Sequence, residues 1–113
     1  MNWTIEFYTT TNGKVPVKEF LDSLNARQAA NIIEAMELLK TFGLQLKEPY
    51  VKFLGDKLCE LRVKDPDGIY RVLYFAATGK KFVMVHGFVK KTQKIPAKEL
   101  AKAKKRMKEY LNG

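Results

Sequence analysis

The chain has 113 residues, 46% of them hydrophobic and 29% charged, with a formal net charge of +9. That composition suits one globular domain over residues 1–113 and makes a disordered tail unexpected. One cysteine, Cys59, and one histidine, His86, leave no internal disulfide and little basis for a His/Cys zinc site, so a reducing cytoplasm is expected.

Asn2–Tyr8 reads as a strand with Trp3, Ile5 and Phe7 on one face. This polar and aromatic start contains no secretory apolar region, and no later run is long enough to span a membrane. Asn12-Gly13 marks a turn within Thr9–Lys14. Pro16 can open a short helix, with Val17, Phe20, Leu21 and Leu24 at helical spacing. Asn25 and Gln28 stand as in a capping box ahead of a second helix. Its apolar stripe is Ala29, Ile32, Ile33, Met36, Leu39 and Phe42, and Gly43 ends it. Two helices joined so closely should form an antiparallel hairpin.

Beyond Pro49 the apolar period changes from helical to two. Tyr50–Leu54 can be a short strand. Lys57–Lys64 is a clearer one, with Cys59, Leu61 and Val63 on one face and Leu58, Glu60 and Arg62 on the other. Asp65-Pro66-Asp67-Gly68 signals a turn, and Ile69–Ala76 is the return strand, on which Arg71 faces away from Val72 and Tyr74. After Thr78-Gly79, Phe82–Val89 is the most apolar strand and is expected centrally. Pro96 opens a last helix striped with Leu100, Ala103, Met107 and Leu111, its other faces mostly Lys and Arg. The expected class is α+β: a strand, a helix hairpin, an antiparallel meander and a C-terminal helix, with one layer of sheet against helices.

The charge is concentrated. Residues 80–108 hold eleven Lys/Arg against one acid, Glu99, while the remainder is close to neutral. Such a field attracts nucleic acid or an acidic partner, unless it is only a solvated face. No phosphate-loop, dinucleotide or metal motif is present, and a lone Ser23 gives a serine triad no basis. No cofactor or metal is therefore expected. Cys59 reads as core.

Arg62 and Arg71 lie about equally far from the Pro66–Gly68 turn, so they can be cross-strand neighbours. Paired arginines repel unless an acid or anion joins them, and Glu60 is the acid at hand. The plainer reading is a surface salt-bridge cluster. The chemical reading is phosphate binding by planar guanidinium groups. Metal-free RNA cleavage needs the 2′-hydroxyl to attack phosphorus while cations stabilise the phosphorane. It also needs a base and an acid, for which Glu60, His86, Lys90, Lys91 and Tyr74 are candidates. A lysine would need a lowered pKa, which neighbouring cations favour. Lys90-Lys91-Thr92-Gln93-Lys94 follows the last strand, either as a catalytic loop or as one that only positions phosphate. His86 shares its strand with Phe82, Met84 and Phe88, and one face with them is expected. That position is either a hydrogen-bonded core site or a catalytic one.

Gly68-Ile-Tyr-Arg-Val-Leu-Tyr-Phe75 and His86-Gly-Phe-Val-Lys-Lys-Thr-Gln-Lys-Ile-Pro96, with Leu58-Cys-Glu-Leu-Arg62 upstream, resemble the HigB-like branch of the RelE/ParE toxin superfamily. That branch includes chains first described as phage-derived proteins, and the resemblance covers nearly the whole chain. It implies a RelE-like fold and the toxin of a type II toxin–antitoxin pair. Such a toxin enters the ribosome and cuts mRNA, leaving a 2′,3′-cyclic phosphate and a 5′-hydroxyl. The resemblance implies a helix-turn-helix antitoxin as partner, besides ribosome and mRNA. By position it places Arg71 at the scissile phosphate, Lys91 and Lys90 as further cations, and Arg62 as a supporting phosphate ligand. Some relatives carry a Tyr or His near the C-terminal end for proton transfer, where this chain has lysines and only Tyr110. Lys94, Lys98, Lys102 and Lys105 are the expected RNA contacts. Alternatives are a ParE-like toxin that poisons DNA gyrase and a non-catalytic prophage interaction module.

Overall fold

The computed structural model describes residues 2–113. Strand β1 (Thr4–Phe7) leads through a turn to helices α1 (Pro16–Asp22) and α2 (Ala26–Phe42). Strands β2 (Val51–Gly55), β3 (Leu58–Asp65), β4 (Gly68–Ala77) and β5 (Lys81–Lys90) follow, and helix α3 (Ala97–Asn112) closes the chain. Helix α2 starts as its sequence suggests. The Asn25 side chain accepts the Gln28 N–H at 2.8 Å, and the Gln28 side chain accepts the Asn25 N–H at 3.1 Å.

The four later strands form the expected antiparallel meander, but β1 joins it in parallel beside β5, giving the order β1-β5-β4-β3-β2. Strand β4, not β5, is therefore the middle strand. Helices also cover both sheet faces rather than one. Helices α1 and α2 pack over Leu61, Val72, Tyr74, Phe82 and Met84. Helix α3 packs on the opposite face, over Leu73, Phe75, Val83 and Val85. Covering both faces explains why β4 and β5 are apolar almost throughout. Three stripe residues stay outside the core: Ile33, Phe42 and Leu111 are each about half exposed.

A β-bulge sets the side-chain directions near the site. Leu73 pairs with His86, but the next pair is Tyr74 with Met84, so Val85 has no partner of its own. The extra residue reverses the alternation. Phe82 and Met84 face the helix pair, whereas His86 meets Glu99 of α3 on the other face. The expectation that His86 shares a face with Phe82 and Met84 fails for this reason. Periodicity assumes an unbroken ladder.

Candidate functional site

Strands β3 and β4 bring two arginines directly opposite each other, Arg62 against Arg71. Glu60 joins them. Its Oε2 lies 2.7 Å from Arg71 Nε and its Oε1 3.7 Å from Arg62 Nε. The Arg71 N–H points past the oxygen, so the short contact is ionic rather than an aligned hydrogen bond. The cluster is not a surface network: Arg71 is 0% exposed and Glu60 2%. Burial pushes the Glu60 carboxyl above its ordinary value, against the pull of Arg71, Arg62 and Lys52.

The Lys90–Lys94 segment lies over this cluster and is pinned by it. Arg71 Nη2 donates to the carbonyls of Thr92 and Gln93 at 2.6 and 2.8 Å. Arg62 Nη2 donates to the Gln93 side chain at 2.7 Å. The Arg71 guanidinium also lies 5.8 Å from the Phe88 ring centre. Its Nη1 is buried without a hydrogen-bond partner among the described residues. Lys90, Lys91 and Lys94 are exposed on the segment, and Lys98, Lys102 and Lys105 are exposed on α3.

The expected site residues therefore divide into three sets. Glu60, Arg62 and Arg71 are brought together, but Arg71 sits beneath the lysine segment and has no open surface to offer a phosphate. The lysines line the outside. His86 stands apart, in a second buried cluster under α3. Its Nε2 is 2.8 Å from Glu99 Oε1 and its Nδ1 is 3.0 Å from Arg106 Nη1. An arginine only donates, so Nδ1 accepts and the His86 proton sits on Nε2, facing Glu99. Both ring nitrogens are thus committed. Burial holds the His86 pKa below its usual value, opposed by the Glu99 bond and reinforced by Arg106 and Lys102. For Glu99, burial favours the neutral acid. The His86 bond and the Lys102 and Lys98 charges outweigh it and hold the carboxyl low.

Sequence reasoning missed Thr92 and Gln93, because backbone carbonyls leave no signature. It also missed Arg106, whose role depends on the bulge. Glu99 had a signal as the lone acid among eleven cations. Among the described residues no group of three His, Cys, Asp or Glu side chains gathers as metal ligands would. No helix among them is long and apolar enough to cross a membrane.

Fold and site together define a small basic α+β protein whose lysine-rich segment is tied to its sheet by a buried arginine. A family model described as Phage derived protein Gp49-like (DUF891) matches residues 19–108. The chain belongs to that family, which is of the RelE/HigB-like toxin kind. No curated protein matches the chain.

Proposed function

We propose that this protein is the toxin of a type II toxin–antitoxin pair and cleaves mRNA at the ribosome without a metal. The observation that carries the reading is the exposed Lys90, Lys91 and Lys94 on a segment fixed from below by Arg71 and Arg62. Family membership supports the toxin role.

In the proposed reaction the 2′-oxygen attacks the adjacent phosphorus and the P–O5′ bond breaks. A base takes the 2′-proton and the departing 5′-oxygen gains one. The products are a 2′,3′-cyclic phosphate and a 5′-hydroxyl, with no water consumed. Lys91 and Lys90 stabilise the phosphorane charge, and Arg62, half-buried at the segment's edge, supports them. Arg71 contributes by holding the segment. Direct phosphate contact from Arg71 requires Thr92 and Gln93 to release it. His86, with both nitrogens occupied, is not assigned as the base. A helix-turn-helix antitoxin carrying an acidic segment would inhibit by covering the lysines.

The test is induction in cells with mapping of mRNA 5′ ends. Lys91→Ala is the informative control, because an exposed lysine can be removed without disturbing the buried cluster. Codon-phased cuts that disappear in Lys91→Ala are expected. Intact mRNA together with DNA damage would point to gyrase and sink the reading.

A further inference from the structure

A second cationic feature lies two helical turns beyond the lysine segment; Lys102 and Lys105 at its rim are among the expected RNA contacts, but neither the expected site nor the proposed reaction uses Arg106 or the cavity beside it. A cavity of about 330 Å³ opens between the end of β1 and α3. Lys102, Lys105 and Arg106 line one side of it, and Tyr8, Thr10 and Thr11 the other. Its one acid, Glu109, accepts the Tyr8 hydroxyl at 2.6 Å.

Arg106 differs from its lysine neighbours in being held. Its Nη1 donates to the Val85 carbonyl at 2.9 Å and to His86 Nδ1 at 3.0 Å. Val85 is the bulge residue, so its position depends on the break in the β4–β5 ladder. Glu99 fixes the His86 tautomer from the other side. The chain Glu99–His86–Arg106 thus runs in one direction and sets the guanidinium plane from inside the protein. Among the described residues, the other Arg106 nitrogens carry no hydrogen bond. A guanidinium immobilised in this way loses little freedom on binding, and its planar fork matches a phosphate oxyanion.

We propose that this cavity binds a phosphate group of the RNA backbone through Arg106, with Lys102 and Lys105 closing around it and His86 acting as the positioning residue. The RNA source rests on the function proposed above. The phosphate chemistry does not. Lys98, Lys102 and Lys105 fall on successive turns of α3, so they form a track about 10 Å long from the lysine segment to the cavity, at about 1.5 Å per residue. A strand passing over Lys91 is thereby led to Arg106.

The test measures binding of a short labelled single-stranded RNA to the full chain at several salt concentrations. Arg106→Gln should weaken binding and make the log–log salt slope shallower by about 0.7, the release expected for one phosphate of a single strand. Over a tenfold rise in salt that is about a fivefold smaller loss of affinity. His86→Leu should act likewise, whereas His86→Gln, which can accept from Arg106 and donate to Glu99, should restore most of the slope. A role confined to folding would alter melting in these variants without this pattern. Glu109→Gln should tighten binding. As a second readout, inorganic phosphate is titrated into the wild-type protein while the Arg106 Nε–H resonance is followed by NMR. Should RNA not bind while phosphate shifts that resonance, the anion site stands and the RNA reading fails. An unchanged slope in folded Arg106→Gln, with Lys91→Ala still weakening RNA binding, overturns the cavity proposal and leaves the RNA reading intact. No response to RNA or phosphate overturns both.

Discussion

Removing Arg71 should destabilise this protein far more than removing any exposed lysine. Arg71→Met leaves Glu60, 2% exposed, without its nearest countercharge. Breaking a buried ion pair from one side costs about 3–5 kcal/mol, because the remaining charge is poorly solvated and here keeps only the more distant Arg62, 3.7 Å away. At about 2.1 cal/mol/K of unfolding entropy per residue, that lowers Tm by roughly 13–21 °C for a chain of this length. The double variant Glu60→Leu/Arg71→Met removes both charges and should recover at least about 2 kcal/mol, since apolar replacements of buried pairs are often neutral. Urea unfolding at neutral pH measures both values. Trypsin adds a separate readout at Lys90, Lys91 and Lys94. The segment should become cleavable in the single and the double variant alike, since both lose the bonds to Thr92 and Gln93. An Arg71→Met variant within about 1 kcal/mol of wild type would refute the buried-pair reasoning. So would a double variant no more stable than the single one. This prediction also bears on activity assays, because inactive Arg71 variants report lost structure together with lost chemistry.

The remaining predictions concern the framework. Burial holds His86 below its ordinary value of 6.5, so the unfolded chain takes up the proton first. Its contribution to stability is therefore complete above pH 6.5 and is lost as pH falls from there towards the folded value, and urea midpoints in His86→Gln should flatten over that range. Gly87→Ala drives a Cβ into the Phe20 ring and should cost about 1–3 kcal/mol by overpacking, partly relieved by Phe20→Leu; equal melting of Gly87→Ala and wild type would contradict the close approach. Asn25→Ala removes the α2 cap and should cost about 1 kcal/mol in the same denaturation assay.

How far the fold could be read from the residues follows from how local each signal is. The capping box, the two helices and the Asp65–Gly68 turn depend on neighbours a few residues apart, and their positions hold within a residue or two. The Arg62–Arg71 pairing was also legible, because a hairpin with a defined turn fixes its own register. The parallel docking of β1 beside β5 was not, since it joins segments nearly eighty residues apart through no turn. The bulge at Val85 left no mark either. Strand β5 is buried on both faces, so its apolar run carries no alternation that a one-residue insertion would interrupt. From that single irregularity follow the direction of His86, its bond to Glu99 and the anchoring of Arg106.

The two buried polar clusters lie on the same face of the sheet and solve the same mechanical problem. A lysine-rich segment and a lysine-rich helix repel themselves and have few apolar residues with which to dock. Glu60 and Arg71 secure the segment through its carbonyls, and Glu99, His86 and Arg106 secure the helix through a strand carbonyl and a neutral imidazole. In each cluster a buried carboxylate orients an arginine, and the arginine holds backbone. The acids stay inside and the lysines outside, so the anchoring charges leave the outward field uncancelled. Exposed acids would steady the same elements only by neutralising the surface that, in the proposed function, meets RNA. Burying the countercharges therefore reconciles a stable fold with an exposed cationic track.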